Sequence, residues 1–344
     1  MPPEHYDYLI IGQGLAGSLL AFELIQRGQR VLVVDNMLHG SSSQVAAGLI
    51  NPITGHRLNL SDGFSDFLDI ALPFYNKLEK EFGGDFIRTI EQRRLIKNPG
   101  QAEYFKKRCA EANYAGFLSA ADTPEFRVND FGTAAVHQSY VVDTKALLAS
   151  TKKWLIDRQA YLNLSVDYTT LIGSDNTFSV NGLKAQQVVF CEGFQAIHNP
   201  WLKDLPFKLS KGEILTLELN APCSTMLSWG NWLVPHTPNT AKLGANYAWE
   251  DTSLEPSESV NVKLMQSLTQ NTCIQGRVIN HEVGVRPTTK LRKALVGPLS
   301  NLENAHCFNG FGSKGCLTIP KHVQLLCDFL LERTALPSEI SQCL

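Results

Sequence analysis

The feature that most constrains this chain is a glycine turn between two short apolar segments near its N-terminus. Tyr8–Ile11 leads into Gly12–Gly17 (GQGLAG), a helical segment follows and stops at Gly28, and Val31–Val34 then runs into Asp35. This order of strand, glycine turn, helix and strand ending in an acid is typical of a dinucleotide-binding βαβ unit. It predicts a nucleotide cofactor at the start of the helix, where amides and the helix dipole stabilise phosphates.

Each glycine of this turn has a separate physical task. Gly12 permits the tight turn, Gly14 lets a pyrophosphate approach the backbone, and Gly17 lets the helix pack closely on the strand. Asp35 lies 23 positions after Gly12, near the expected spacing of about 20, and can accept hydrogen bonds from ribose hydroxyls. We therefore expect the cofactor to lie against Gly12, Gly14, Leu15, Ala16, Gly17 and Asp35.

Length and composition restrict the class of protein. The 344 residues suggest two domains or lobes, and a net charge of −2 disfavours nucleic acid or an anionic membrane as a partner. The eight cysteines contain no C-x-x-C pair, so we expect reduced thiols in a cytoplasmic protein. The first strand begins too early for a signal peptide, and no run of 18 apolar residues predicts a membrane span. The histidines show no metal-ligand spacing, so we expect no metal.

Apolar periodicity predicts the remaining elements. Helical spacing covers 64–82, 102–112, 144–158, 258–270 and 321–332, and one strand-like run covers 88–96. Residues 206–250 alternate and turn like an antiparallel sheet. A second, antiparallel lobe therefore interrupts the nucleotide-binding part.

Four further motifs follow the first glycine turn. Ser41–Gly48 combines hydroxyls, which could meet phosphates, with small residues, although a polar surface loop would have the same composition. Val188–Gly193 predicts a buried strand and a turn, Gly284–Pro287 contains an arginine, and Asn309–Gly315 is a second glycine turn that enters a helix. A glycine turn at a helix start predicts an anion or carbonyl site.

Taken with the first turn, these motifs resemble the FAD-dependent amine and D-amino-acid oxidase superfamily, which includes glycine oxidase, D-amino-acid oxidase and sarcosine oxidase. The resemblance covers nearly the whole chain. It implies an α/β fold in which a Rossmann-type FAD-binding domain is interleaved with an antiparallel-sheet α+β substrate domain. The expected FAD-binding domain comprises residues 1–50, 136–205 and 281–344, and the substrate domain comprises 51–135 and 206–280.

The resemblance also implies residues for the cofactor. Ala47, Gly48 and Leu49 would approach the flavin, Val166 the adenine side and Gly193 the nucleotide, while the second glycine turn would donate amides to the flavin pyrimidine and Lys314 would add charge. The resemblance implies that the covalent flavin of sarcosine oxidase needs a cysteine near the position of Gly284. This chain has no cysteine there, so we expect FAD to be noncovalent. The cofactor set implied beyond the first turn comprises Ser42, Ser43, Ala47, Gly48, Leu49, Val166, Cys191, Gly193, Arg286, Gly312, Ser313, Lys314 and Gly315.

Three residues are implied for catalysis, two of them at the substrate and one for the reaction with oxygen. Arg286 matches the arginine that binds the substrate carboxylate in relatives, and a guanidinium suits that task because its planar fork donates two hydrogen bonds. Trp232 stands where relatives have a substrate-facing tyrosine, and Lys242 matches the lysine that assists oxygen in sarcosine oxidase. A structural salt bridge, core packing and an exposed strand lysine, respectively, are the alternatives for these three residues.

Several positions depart from the family pattern. Leu291 and Ala294 replace an aspartate and a proline that follow the arginine in relatives, Ser313 replaces a second substrate arginine of glycine oxidase, and Glu192 replaces a small residue. The substrate of glycine oxidase therefore cannot be carried over to this chain.

The activity implied is oxidation of the C–N bond of an amino acid, or of a secondary amine that bears a carboxylate, by hydride transfer to flavin. Oxygen or another acceptor would then reoxidise the flavin. The first alternative is a tRNA-modifying FAD oxidase that acts on a carboxymethylaminomethyl uridine. The segment Gly48–Pro52 is similar in that group, although the mild acidity of this chain and the lack of a fused methyltransferase domain disfavour it. The second alternative is a noncatalytic protein that binds FAD and a partner.

Overall fold

The structure is a computed structural model that describes residues 5–37, 39–127, 130–172, 177–249, 251–341 and 344. Its strands are β1 (His5–Ile11), β2 (Val31–Asp35), β3 (Leu49–Ile50), β4 (Ile53–Thr54), β5 (Asn59–Leu60), β6 (Ile87–Thr89), β7 (Gln92–Leu95), β8 (Leu118–Ala121), β9 (Thr133–Val136), β10 (Tyr140–Val142), β11 (Tyr161–Asn163), β12 (Phe178–Val180), β13 (Leu183–Phe190), β14 (Phe207–Leu219), β15 (Met226–Ser228), β16 (Trp232–Thr237), β17 (Thr240–Gly244), β18 (Gly276–Thr289), β19 (Leu295–Pro298) and β20 (Ala305–Asn309). Its α-helices are α1 (Leu15–Gln26), α2 (Ser42–Val45), α3 (Phe64–Phe82), α4 (Pro99–Ala110), α5 (Thr144–Asp157), α6 (Glu258–Asn271), α7 (Gly315–Glu332) and α8 (Ser338–Ser341).

A seven-stranded sheet forms the nucleotide-binding part. Its order is β11-β2-β1-β13-β20-β19, with β12 paired to β13, and the five strands from β11 to β20 run parallel. Both faces are covered. On β1, Tyr8 and Ile10 pack into a core with helices that include α1 and α7, whereas Leu9 and Ile11 pack into a second core on the opposite face. This double burial explains why the strands of this sheet consist of continuous apolar runs.

An eight-stranded sheet forms the second part. Its order is β18-β14-β17-β16-β15-β7-β9-β8, and every pair is antiparallel except β15 with β7. The long strands β14 and β18 pair from Phe207 with Thr289 to Leu219 with Gly276. A separate three-stranded sheet has the order β3-β10-β6. The expected fold class, a parallel nucleotide-binding sheet combined with an antiparallel sheet, is confirmed.

Two elements differ from the sequence prediction. The run expected over 88–96 is divided into β6, which pairs with β10, and β7, which pairs with β9 and β15, so the chain changes sheets between them. Helix α7 begins at Gly315 and not at 321, so Pro320 lies in its interior. Proline has no N–H for the carbonyl four residues earlier, and here the Tyr75 hydroxyl donates to that carbonyl, Cys316 O, at 2.8 Å.

The assignment of residues to two domains stays a prediction. Strand β18 crosses the expected boundary at 280/281 and lies in the eight-stranded sheet along its whole length. Ser41 nevertheless forms a bridge with Val285, so this strand also contacts the segment that follows the βαβ unit. The eight-stranded sheet is therefore joined, next to Arg286, to the segment that follows the βαβ unit.

Candidate active site

A cleft of about 1760 Å³ opens at the carboxyl ends of the parallel strands. Open α/β sheets bind ligands at this edge, because the glycine turns and helix starts that follow the strands meet there. The volume exceeds the roughly 300–1,000 Å³ of sites for drug-sized ligands, so the cleft has room for a dinucleotide together with a substrate. Most residues expected to contact cofactor line it, namely Gly12, Gly14, Leu15, Ala16, Asp35, Ser42, Ser43, Ala47, Gly48, Leu49, Val166, Cys191, Gly193, Arg286, Gly312, Ser313, Lys314 and Gly315.

The first glycine turn leaves no space for side chains. Gly12 has a φ of +104°, and a Cβ there would lie 2.5 Å from the carbonyl oxygen of Cys191. A Cβ on Gly17 would lie 1.9 Å from the carbonyl oxygen of Gly12. Gly17 does not line the cleft, and its role is to let α1 approach the turn. The arrangement fits a bound pyrophosphate, since the backbone of Gly14 remains open toward the cleft.

Asp35 braces this turn as well as facing the cleft. Its Oδ2 accepts a hydrogen bond from the Gln13 N–H at 2.7 Å, and its Oδ1 accepts one from the Met37 N–H at 2.7 Å. Each carboxylate oxygen can accept a further bond, so ribose hydroxyls can still be held there. Ser43 connects the next loop to the helix start, because the Leu15 N–H donates to its Oγ at 3.1 Å.

The loop expected beside the flavin is fixed from two sides. Gly48 has a φ of +70°, and a Cβ there would lie 1.8 Å from the carbonyl oxygen of Val142. On the other side, the Lys242 ammonium donates to the carbonyls of Val45 and Ala46 at 3.0 and 2.7 Å. Lys242 does not line the cleft in the way that an exposed oxygen-contacting cation would. It lies behind the loop, and burial lowers its pKa.

The second glycine turn is bonded to the turn that follows β13. The Asn309 side-chain amide donates to the carbonyl of Gly193 at 2.8 Å, which joins the ends of β20 and β13. Gly312, with a φ of +57°, begins a short 3-10 helix, Gly312–Lys314, which leads directly into α7. The Lys314 ammonium donates to Ser61 Oγ at 3.2 Å. The turn thus presents backbone of a helix start to the cleft, which suits an electron-rich ring edge.

At the nucleotide end, Glu192 forms a buried polar cluster. The Tyr168 hydroxyl donates to its carboxylate, and the Asn199 amide donates to the other carboxylate oxygen at 2.7 Å. Burial raises the pKa of Glu192 to about 7, although these hydrogen bonds favour the charged form. Val166 follows β11 and lines the cleft near Tyr168. The position where relatives have a small residue is therefore occupied by a titratable group.

Arg286 lies where the cleft meets the eight-stranded sheet. Burial lowers the pKa of its guanidinium, and its Nη1 has no hydrogen-bond partner within the described part of the chain. The guanidinium packs on the ring of Tyr247, with Cζ 4.4 Å from the ring centroid. A Cβ on Gly212 would lie 2.1 Å from Nη2, so any side chain there would force this guanidinium to move. The structural salt bridge that was the alternative for Arg286 is not found among the described residues.

Trp232 forms part of the same region. It lies on β16, lines the cleft and packs with Val45, Ile214 and Ala245. A Cβ on its strand neighbour Gly244 would lie 2.7 Å from the indole. The Trp232 side chain therefore lines the cleft, as expected, and also packs against apolar residues, which was the alternative.

Sequence reasoning did not identify Tyr247, Gly212 or Gly244 as site residues. The two glycines carried a usable signal, because an isolated glycine within a strand often marks close approach of another group. Tyr247 had no such signal, since it lies in an irregular segment between β17 and α6. Its position beside Arg286 depends on the pairing of distant strands.

Comparisons with known proteins agree with this arrangement. The model of the DAO family, FAD dependent oxidoreductase, matches residues 7–328. The uncharacterized oxidoreductase YurR of Bacillus subtilis is 23% identical over 90% of this chain and 90% of its own length. The tRNA 5-methylaminomethyl-2-thiouridine biosynthesis bifunctional protein MnmC of Legionella pneumophila is 20% identical over 99% of this chain, and the match spans only 58% of the length of MnmC.

Solved structures share the fold. Glycine oxidase from Geobacillus kaustophilus has a TM-score of 0.82 at 20% identity, and the match covers 97% of each chain. Iminodiacetate oxidase from Chelativorans sp. BNC1 has a TM-score of 0.77 at 19% identity, over 97% of this chain and 98% of that one. Within the described ranges, no helix is long and apolar enough to cross a membrane. The chain belongs to the DAO family of FAD-dependent oxidoreductases, and FAD is its cofactor.

Proposed function

We propose that this oxidoreductase oxidises the C–N bond of an amino acid, or of a secondary amine that bears a carboxylate. The observation that carries the proposal is Arg286, a half-buried arginine in the cleft whose buried Nη1 has no hydrogen-bond partner among the described residues. A buried charge without a counter-ion is costly. A substrate carboxylate would provide that counter-ion and would receive two parallel hydrogen bonds.

The proposed roles of the surrounding residues follow from their positions. Arg286 holds the carboxylate, Gly212 leaves space for the guanidinium, and Tyr247 fixes it from the other side. Trp232 forms a wall of the cleft. Bound FAD supplies the chemistry by accepting a hydride from the carbon next to nitrogen. The amine has to arrive unprotonated, and we assign no catalytic acid or base.

The cofactor roles are part of the same proposal. The first glycine turn and Ser42–Ser43 hold phosphates, Asp35 holds ribose, Ala47–Leu49 lies against the ring, and Gly312–Gly315 donates amides to its pyrimidine end. We propose noncovalent binding, with oxygen or another acceptor reoxidising the flavin.

Flavin bleaching in the absence of oxygen tests the proposal. Amino acids and N-substituted glycines should bleach the flavin, whereas the matching amines without a carboxylate should not. Arg286→Ala should lower kcat/KM by at least about thirtyfold, since truncating one partner of a buried charge pair costs about 2–5 kcal/mol. Arg286→Lys should also be impaired because it lacks the planar fork.

Gly212→Ala is the matched variant, because it keeps Arg286 but places a methyl group where the guanidinium lies. Ser210→Ala on the same strand is the control, because the Ser210 hydroxyl is buried without a partner in the described structure. A normal flavin spectrum with reduced activity in Gly212→Ala, and wild-type activity in Ser210→Ala, would support Arg286 as the residue that binds the substrate carboxylate. Preference for amines without a carboxylate would refute it.

A second candidate function is oxidation of a carboxymethylaminomethyl uridine in tRNA. It is favoured by the similarity to MnmC over 99% of this chain. The match covers only 58% of the length of MnmC, so the activity of the whole MnmC protein is only proposed for this chain. Both candidates share one chemical feature, an amine nitrogen in a molecule that also bears a carboxylate. They differ in what the nitrogen carries, and an assay with unmodified and modified tRNA distinguishes them.

A further inference from the structure

The cleft contains a second arginine, on a strand distant from that of Arg286. Arg94 lies on β7 and lines the cleft together with Gly55, His56 and Lys97. These three neighbours are exposed, so the cleft opens to solvent here. We call Gly55, His56, Arg94 and Lys97 the basic mouth of the cleft.

Strand pairing places Arg94 on the same face of the eight-stranded sheet as the proposed substrate residues. Arg94 pairs with Ser228, which pairs with Trp232. Paired residues point to the same face, so Arg94 and Trp232 both face the cleft, from strands whose backbones are about 10 Å apart. The same face continues across β17, β14 and β18 to Arg286. In the strand order, Trp232 therefore lies between the two arginines.

Arg94 has no carboxylate partner within the described ranges. Its neighbour Arg93 points to the other face of β7 and pairs with Glu91. Arg94 instead donates to the carbonyl of Gly55 at 2.6 Å, and burial lowers the pKa of its guanidinium. A carbonyl carries only partial charge, so this contact does not replace the counter-ion that a desolvated guanidinium requires.

The surroundings of Arg94 also contain no acid. The residues between 53 and 101 that line the cleft are apolar, neutral polar or basic, and this whole range lies within the described structure. Acidic residues line the cleft only on other described segments, at Asp35, Glu192, Glu255 and Glu282. An anion at the basic mouth would therefore meet positive charge without a competing carboxylate.

We propose that the basic mouth is a second anion subsite, which binds an anionic group at the far end of the substituent on the substrate nitrogen. The inference rests on the proposed function, since that places the substrate carboxylate on Arg286. In the order carboxylate, carbon and nitrogen, the group farthest from Arg286 is the nitrogen substituent. Arg94 would donate two parallel hydrogen bonds to its anion. The spacing of about 10 Å between the backbones of β16 and β7 implies a substituent of several atoms.

The test compares matched N-substituted glycines as substrates of the holoenzyme. N-(5-carboxypentyl)glycine ends in a carboxylate, and N-(5-carbamoylpentyl)glycine ends in a neutral amide of similar shape. The ratio of their kcat/KM values should favour the carboxylate in the wild type, and Arg94→Gln should lower that ratio about tenfold. Arg94→Lys should keep part of the preference, because it keeps the charge without the planar fork. Arg93→Gln is the matched control, since it removes the same charge from the other face of β7 and should leave the ratio unchanged.

A shorter pair of compounds tests the position of the subsite. Iminodiacetate and N-(carbamoylmethyl)glycine differ in the same way but end two bonds from nitrogen, so their ratio should not depend on Arg94. A ratio for the long pair that is equal in wild type and Arg94→Gln, or that falls as far in Arg93→Gln, refutes the subsite and leaves the proposed function standing. Equal dependence of both pairs on Arg94 also refutes it, because the anion would then not lie beyond Trp232.

A binding measurement keeps the two proposals separate. If no N-substituted glycine bleaches the flavin, the proposed function fails, and calorimetry of the holoenzyme with suberate, a long dianion without an amine, still measures the subsite. Weaker binding of suberate to Arg94→Gln than to wild type and Arg93→Gln supports the subsite. Equal affinity in all three proteins, or no binding to wild type, refutes it.

A further compound identifies the kind of anion. N-(5-phosphonopentyl)glycine has the same chain and ends in a phosphonate. An Arg94-dependent preference for either anionic compound over the carbamoyl compound supports the subsite, and the larger preference shows whether a carboxylate or a phosphate-like group is selected. The absence of such a preference for both compounds refutes it.

Discussion

The two ends of the cleft are built in different ways. At the nucleotide end, backbone atoms approach so closely that Gly12, Gly17 and Gly48 cannot carry side chains. At the substrate end, side chains define the space, and Arg286, Trp232 and Tyr247 are large. On the proposed function, the cofactor is held by backbone geometry, and the substrate is selected by side chains that can change singly.

Two solved structures with 19–20% identity to this chain share its fold, although their names specify different molecules. Replacing a residue at the substrate end changes one contact. Replacing a glycine at the nucleotide end moves the backbone. We therefore expect variants of the two ends to fail differently, and the following predictions test that difference.

The largest effect is expected for Gly17→Ala. The new Cβ would lie 1.9 Å from the Gly12 carbonyl oxygen, so the helix and the turn would have to separate. We expect purified protein that retains no FAD, measured from the absorbance ratio of flavin to protein. Gly100→Ala in α4 is the control, because its Cβ would meet only Asn98 Oδ1 at 3.5 Å. Normal FAD content in Gly17→Ala would contradict the steric argument.

A smaller loss of FAD affinity is expected for Asp35→Ala. The change removes charge-assisted hydrogen bonds to ribose, which should weaken FAD binding by about 1.5–3 kcal/mol. The Gln13 and Met37 amides would also lose their acceptor. Titration of apoprotein with FAD measures the change. The FAD affinity of Asp35→Asn, which keeps one acceptor oxygen but not the charge, should lie between those of wild type and Asp35→Ala. An unchanged dissociation constant for Asp35→Ala would show that the carboxylate does not contact the cofactor.

The sequence predicted the nucleotide end more completely than the substrate end. Gly12–Gly17 and Asp35 are local in the chain, and one βαβ unit fixes their relative positions. The position of Lys242 depends on the register of β14 with β17, and the position of Tyr247 depends on an irregular segment. Local periodicity of the sequence predicts neither position. The predicted start of α7 was wrong because a proline such as Pro320 usually marks a helix boundary. The Tyr75 hydroxyl, which bonds the carbonyl left free by Pro320, comes from a helix distant in the sequence.

Lys242→Met should give the smallest effect, and it separates two roles for this buried cation. Charge develops on oxygen only during reoxidation, so a nearby cation would accelerate that half-reaction alone. We expect reoxidation by oxygen to slow several-fold, by roughly 1 kcal/mol, while flavin reduction by substrate changes little. The ammonium also holds the carbonyls of Val45 and Ala46. Stopped-flow measurement of both half-reactions, with the exposed Lys263→Met as control, distinguishes the roles. If both half-reactions slow equally, Lys242 acts by positioning the loop beside the flavin. If neither half-reaction changes, the charge of Lys242 does not assist catalysis, and the natural acceptor need not be oxygen.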